Sequence, residues 1–357
     1  MLSYQVETFG RPLARVLRDT PQPQGTEVLL QVGSCGVCHS DLHMQDGYFD
    51  LGEGNKIDMT KPMRPPRTLG HEIAGTVVAL GPEVKASDGV RVGDRRVVYP
   101  WIGCGRCSTC ARGEEHLCGA PQVIGCNRDG GFASHVVAPH PRVLLEYEPL
   151  REEEACTLAC SGLTAYSALK KVPRPDAAAG DAVLIIGAGG VGLSGIRLAR
   201  QVLGVAPIVA EIDRGTWDIA REARAASCFD PSEDGAARNL FQSTGGGVAA
   251  GVDFVGAAST FSFGFNALRK GGRLVCVGLF GGSTPVMPTL VSMKAISIVG
   301  SYVGSLAELR ELLALARAGQ LPAMPVATRP LDEASQALDD LRSGKVKGRA
   351  VLRPKLP

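Results

Sequence analysis

Residues 182–204 read AVLIIGAGGVGLSGIRLARQVLG. The apolar run Ala182–Ile186 predicts a buried strand, and the stretch from Val191 to Gly204 predicts a helix. Between them Gly187, Gly189 and Gly192 form G-x-G-x-x-G. In that context the first glycine permits a tight turn, the second lets a pyrophosphate approach the backbone, and the third lets helix and strand pack closely. The helix start adds unpaired N–H groups and a partial positive charge, which suit phosphate. An ordinary strand–turn–helix joint is the competing reading. Glu211 argues against it, because it ends the next apolar run, IVAE, where an acid accepts from ribose hydroxyls. A carboxylate there repels a 2′-phosphate, so NAD is expected rather than NADP. Asp213 stands two residues on, and Arg214 beside it pulls the other way.

Outward from this segment the strand–helix alternation continues. APIVAEID, GVDFVG and GGRLVCVGL read as strands, and GTWDIAREARAA and Leu306–Ala318 as helices. CTLACSGLTAYSALKK, ahead of the glycine motif, reads as a single helix. Alternating strands and helices predict a doubly wound parallel sheet, so the fold class is α/β. From Gln5 to about Leu145 the texture differs. Short alternating runs such as EVLLQVGSCG, EIAGTVVALG and RRVVYPW, split by Gly and Pro, predict a β-rich domain. The closing stretch RPLDEASQALDDLRSGKVKGRAVLRP reads as a helix and a strand that returns to the first domain.

At 357 residues the chain can hold two cores. It is 45% hydrophobic and 21% charged with a formal net charge of only +2, so nothing argues for a polyanionic partner such as nucleic acid. The start shows no secretory signal, and the uncharged stretch Ala182–Ile196 is too short to span a bilayer. The expectation is a cytoplasmic protein. Eleven cysteines then speak for metal ligands and buried thiols rather than disulfides.

Cys104, Cys107, Cys110 and Cys118 lie in CGRCSTCARGEEHLC. Four thiolates at that spacing can enclose one tetrahedral zinc, and such a closed site leaves no position for chemistry. Three further residues are scattered: Cys38 in CGVCHSD, His71 in LGHE and Cys160 in LACSGLTAY. Each alone reads as a core residue. Together they offer two thiolates and an imidazole, a set that leaves a zinc one open position.

GVCHSD, GHE, the four-cysteine segment, GxGxxG followed by an acid, and GKVKGRAVL occur in that order over nearly the whole chain. In this the sequence resembles the zinc-dependent medium-chain alcohol dehydrogenases, for which two thiolates and one imidazole are the known catalytic zinc ligands. The resemblance implies a β-rich GroES-like catalytic domain, 1–161 and 305–357, interrupted by a Rossmann coenzyme domain, 162–304. It implies NAD and two zinc ions per chain: a catalytic zinc on Cys38, His71 and Cys160 and a structural one on the four clustered cysteines. Ser40 then takes the proton of the bound alcohol, and His43 is the outer base, reached through the coenzyme ribose. Asp41 orients the His71 ring, and Glu72 approaches the metal. His39, Thr164, Gly187, Gly189, Gly190, Val191, Gly192, Glu211, Val277 and Arg349 fall at coenzyme positions. Alternative readings stay open: Asp41 as a helix cap, His43 as a surface residue, Arg349 as a solvated charge. Cys35, Cys126, Cys156, Cys228 and Cys276 match no ligand position.

The implied reaction is reversible hydride transfer from a primary or secondary alcohol to NAD. Trp101 matches a pocket-lining position and points to apolar or aromatic alcohols. The stretch between His43 and His71 departs from the family pattern by about ten extra residues, a length that surface loops accept at little cost. Its Tyr48 is expected in the pocket if the insertion reshapes the mouth. A polyol dehydrogenase of the same superfamily is the nearest alternative, although Cys160 stands where polyol enzymes carry a carboxylate. A zinc-ribbon-like nucleic-acid binder is opposed by the neutral charge balance. The partners expected are a small-molecule substrate and further copies of the chain, a homotetramer or a dimer, with SIVGSYVG (297–304) as a candidate edge strand. No membrane or nucleic acid is expected.

Overall fold

The computed structural model describes residues 1–355. Six strands form one all-parallel sheet, in the order Ser227–Phe229, Ile208–Ala210, Val183–Ile186, Val248–Asp253, Leu268–Cys276 and Ser297–Gly300. Numbered along the chain this is 3-2-1-4-5-6, so the order reverses beside Val183–Ile186 and opens a crevice at the carboxyl ends of the strands. Val183–Ile186 is buried throughout, as expected for a strand covered on both faces. Ser297–Gly300 lies at the edge, where the sequence places it. The boundary 357 of the expected catalytic domain lies outside the described residues.

The second large sheet is mixed and built mainly from the N-terminal part. Its path runs Leu144–Glu146, Arg95–Val98, Glu72–Leu80, Val28–Gly36, Arg349–Arg353, Val326–Pro330, with His135–Ala138 also on Val28–Gly36. The C-terminal strand therefore does return to the first domain, pairing Val351 with Gly36 and Leu352 with Cys35. The main core contains Val28, Leu30, Val32, Ile73, Val97 and Val98 from this sheet. Tyr99, fully buried, ties it to the other half of the chain by donating to Gly304 O at 2.9 Å.

Two departures from the sequence reading concern function. CTLACSGLTAYSALKK is not one regular helix. α-Helix spans Glu152–Thr157 and Leu163–Lys170, and between them Leu158–Gly162 makes a π turn that contains Cys160. Such a turn inserts residues without breaking the helix and re-aims the side chains it carries. The inserted stretch after His43 is an ordered antiparallel hairpin, Tyr48–Gly52 paired with Asn55–Asp58. Among the described residues no helix is long and apolar enough to cross a membrane.

Candidate active site

Cys38, His71 and Cys160 come from three elements. Cys38 is the N-cap of the helix His39–Asp46, His71 directly precedes the strand Glu72–Leu80, and Cys160 sits in the π turn. All three are buried, and one ligand atom of each lies within 4.8 Å of the others. Asp41, fully buried, holds this end together. Its carboxylate accepts from Cys38 N–H at 2.9 Å and from Gly70 N–H at 3.2 Å. The same group lies 3.2 Å from His71 Nδ1, a charge contact short of an aligned hydrogen bond. One side chain thus caps the helix and lies against the His71 ring.

The donor set fits a zinc ion. His71 Nε2 is buried without any hydrogen-bond partner, an arrangement that costs about 1–3 kcal/mol unless something ligates it. The Cys160 thiol pushes the Cys38 thiol well down by hydrogen bonding, and the same bond pushes Cys160 well up. Asp41 raises the His71 imidazole against the effect of burial.

Glu72 and Arg349 lie behind the ligands. Arg349 is only 3% exposed, so it is not a solvated charge. Its Nη2 is 2.5 Å from Glu72 Oε2, while Glu72 Oε1 accepts from Ser161 N–H at 3.1 Å. Burial pushes the Glu72 carboxyl up to about 7 against the pull of the Arg349 charge. A Cβ on Gly190 would lie 2.6 Å from Arg349 Nη1, so the guanidinium also touches the start of the coenzyme helix.

On that side the glycine turn has the shape the motif demands. Gly187 takes φ +91°, Gly189 faces open space, and a Cβ on Gly192 would fall 2.0 Å from Gly187 O. The helix that follows, Gly190–Leu203, begins at Gly190 and Val191. Glu211 is half-buried against this turn: it accepts from Ala188 N–H at 2.6 Å and from Asp213 N–H at 2.8 Å. Arg214 is exposed and paired with Glu233. Val277 follows the strand Leu268–Cys276, at the carboxyl edge of the sheet. Thr164 is buried four residues after Cys160. The glycine turn thus has the geometry a dinucleotide's pyrophosphate needs, with the Glu211 carboxylate beside it.

Ser40 and His43 lie three residues apart on the helix His39–Asp46, hence on one face. His39 is exposed at its start, 5.3 Å from the Phe280 ring. Trp101 is 5% exposed, its indole N–H donates to Ala159 O at 3.2 Å, and its ring lies 5.3 Å from that of His71. It borders a cavity of about 140 Å³ with Tyr302, Val123, Pro121, His116 and Cys118. Tyr302 is a pocket residue that the sequence did not reveal. It precedes Val303, a β-branched residue at φ +40°, a strained backbone that sequence patterns do not mark. Tyr48 does not line this cavity. Its ring sits under Lys56 Nζ at 3.6 Å, and its neighbour Phe49 turns to His43 instead, as strand alternation requires.

The four clustered cysteines also converge, with ligand atoms within 4.8 Å of one another. Cys107 Sγ lies 3.5 Å from Cys110 Sγ and 3.8 Å from Cys118 Sγ. A tetrahedral zinc with bonds of about 2.3 Å requires sulfur separations of about 3.8 Å, and a disulfide requires about 2 Å. Backbone N–H groups of Arg106 and Cys107 hold the Cys104 thiol down to about 6, while burial pushes Cys110 up to about 12. Glu115 anchors the segment through Arg142 at 2.5 and 2.9 Å.

Two family models match the chain: Alcohol dehydrogenase GroES-like domain over residues 24–147 and Zinc-binding dehydrogenase over residues 190–318. The NAD-dependent alcohol dehydrogenase of Saccharolobus solfataricus is 36% identical and covers 99% of this chain and 100% of its own length. An alcohol dehydrogenase of Geobacillus stearothermophilus is 32% identical over 98% of both chains. Among solved structures, the alcohol dehydrogenase of the archaeon Aeropyrum pernix superposes with a TM-score of 0.86 at 30% identity. It covers 99% of this chain and 100% of its own.

Proposed function

This chain belongs to the zinc-dependent medium-chain alcohol dehydrogenases, and from that premise we propose the substrate class, the residue roles and the assembly described here. It is an NAD-dependent oxidoreductase acting on small alcohols. Its preferred substrates are primary or secondary alcohols with an apolar or aromatic body, because the Trp101 ring lies 5.3 Å from that of His71 and packs edge-on against Tyr302, their ring centroids 6.1 Å apart.

Cys38, His71 and Cys160 hold the catalytic zinc, and Cys104, Cys107, Cys110 and Cys118 a second, structural one. When bound, the catalytic zinc supplies Lewis acidity that makes an alcohol hydroxyl easier to ionise, and NAD supplies the hydride acceptor. The chain does the rest. Ser40 Oγ accepts the hydroxyl proton, and His43, on the same helix face, carries it toward solvent. Asp41 fixes the His71 ring. Glu72 and Arg349 form a buried pair that braces the ligands against the coenzyme helix. The glycine turn and the helix start at Gly190 hold pyrophosphate, and Glu211 selects against a 2′-phosphate. Trp101 and Tyr302 orient the apolar body.

The catalytic domain comprises 1–161 and 305–357, and the coenzyme domain 162–304. The protein assembles as a homotetramer through the edge strand Ser297–Gly300. Exposed Met287, Met293 and Ile298 support this, since such apolar surface marks association. It works in the cytoplasm.

The observation that carries the reading is the meeting of three buried ligands, 122 positions apart from first to last, at one point with an orphaned imidazole nitrogen. Steady-state kinetics on ethanol, hexanol, benzyl alcohol, cyclohexanol and a polyol, with NAD and NADP side by side, test it. Highest kcat/KM is expected for benzyl alcohol or hexanol with NAD. A preference for the polyol would reject the substrate class.

A further inference from the structure

The inserted hairpin, Tyr48–Gly52 and Asn55–Asp58, is attached at both ends. It leaves the helix His39–Asp46 at Gly47, and Met59 N–H closes its base on Gly47 O at 2.9 Å. Its tip meets the loop after the strand Leu268–Cys276, at the carboxyl edge of the parallel sheet. Ser283 Oγ–H donates to Glu53 Oε1 at 2.6 Å. The backbones touch so closely that a Cβ on Gly281 would lie 2.2 Å from Asp50 O, and one on Gly52 would lie 2.5 Å from Gly282 Cα. Gly281 is itself bridged to Ala257 in the coenzyme domain. The hairpin thus hangs from the catalytic domain and is clasped by the coenzyme domain.

Between those two attachments the strand directs Phe49 inward. Its ring centroid lies 4.5 Å from that of His43, with the planes 32° apart, within the range of an offset aromatic pair. We propose that Phe49 is a positioning residue for His43. Held by the clasped hairpin, its ring covers one face of the imidazole and fixes the outer base on the side of the helix that carries Ser40. This rests on the proton path proposed above. The imidazole takes up one proton and releases it to water, and no electrons move at this residue.

The charged and titratable groups that face His43 are Asp46 and His39 from its own helix, Cys38 before it, Asp50 from the hairpin and Arg342 from the helix Ala334–Arg342. Arg342 is already engaged by Asp46 at 2.8 Å. Burial lowers the His43 imidazole below its ordinary value, so it stays neutral and able to accept a proton toward lower pH. Removing the Phe49 ring exposes the imidazole and frees its side-chain torsions.

The test compares pH profiles of kcat/KM for benzyl alcohol at saturating NAD. The zinc-loaded wild type, Phe49→Ala, Phe49→Tyr and His43→Gln are measured with their melting curves. His43→Gln is expected to lose on the order of 10²-fold and the acid limb with it. Phe49→Ala is expected to lose on the order of ten-fold, a fraction of the full base contribution, and to move the acid limb to higher pH. Phe49→Tyr, which keeps the ring, is expected to restore both. If Phe49→Ala keeps the wild-type profile while His43→Gln loses the acid limb, the proposal fails and the proton path stands. If His43→Gln keeps the wild-type profile, the proton path itself fails. Should Phe49→Ala not fold, Ser283→Ala removes only the Glu53 bond. It is expected to move the limb the same way by less, and an unmoved limb overturns the proposal.

Discussion

Replacing Trp101 by alanine separates the pocket from the metal centre. A tryptophan buries about 150–250 Å². Only 5% of it is exposed, on the order of 10 Å², and a substrate that covers this patch buries about as much of its own surface, so roughly 25 Å² is at stake. At about 25 cal/mol per Å² this is about 0.6 kcal/mol, close to three-fold in kcat/KM. Benzyl alcohol reaches that surface, whereas the two carbons of ethanol stay beside the reacting centre. The expected result is therefore a fall in the benzyl alcohol to ethanol ratio of about three-fold, with ethanol itself changed little. Stability falls too. The indole is 5% exposed and bonded to Ala159 O, and truncating such a ring costs about 3–5 kcal/mol. The low end applies because the site opens into an existing cavity of about 140 Å³ that water can enter. Assays at 25 °C alongside a melting curve keep the two effects apart. Trp101→Phe is the control: it retains much of the apolar area and leaves Ala159 O without its donor, so it should preserve the ratio. Equal losses for ethanol and benzyl alcohol in Trp101→Ala would refute the argument, because the indole would then act only through His71.

Glu211→Ser removes the carboxylate beside the glycine turn. The NADP to NAD ratio of kcat/KM is expected to rise at least ten-fold, since a like-charge contact near 4 Å costs about 4 kcal/mol at an effective dielectric of about 20. An unchanged ratio would show that Glu211 does not face the ribose. Glu115 is held below the usual carboxylate range by hydrogen bonds from Arg142. It therefore contributes stability that is complete above the unfolded value of 4.5 and disappears as pH falls through the lower folded value. Glu115→Gln should lower the melting temperature at pH 7, with a gap to wild type that narrows below 4.5. A gap that stays constant into strong acid would contradict this.

What the sequence disclosed and what it withheld follow from range. G-x-G-x-x-G and the strand before it are local, so the glycine turn is legible, and the 3-2-1-4-5-6 sheet bears out the parallel fold. The four-cysteine segment is local as well. Cys38, His71 and Cys160 are legible only as a set carried by family likeness, because nothing local announces a ligand. The π turn around Cys160 escaped because its residues are ordinary helix formers, and only packing decides the extra residue in the turn. The Glu72–Arg349 pair joins residues 277 positions apart, and neither residue shows that the other is its partner. Tyr48 and Phe49 take opposite faces of the hairpin, and which of them turns to His43 cannot be read before the hairpin's partner strand is known. Tyr302 and the clasp on 281–283 are tertiary for the same reason.

The central claim is that the zinc that takes part in chemistry is held by three scattered residues, while the four clustered cysteines hold one that does not. Metal analysis of the purified chain with two variants, each assayed for alcohol oxidation per folded molecule, tests it most directly. The account predicts two zinc ions in the wild type. Cys160→Ala should remain folded with one zinc and lose alcohol oxidation. Cys110→Ser should lose the other zinc and melt at lower temperature, with turnover per folded molecule retained. A Cys160→Ala protein that keeps both zinc ions and its turnover would contradict the account. So would a Cys110→Ser protein of full stability and metal content that no longer oxidises alcohol.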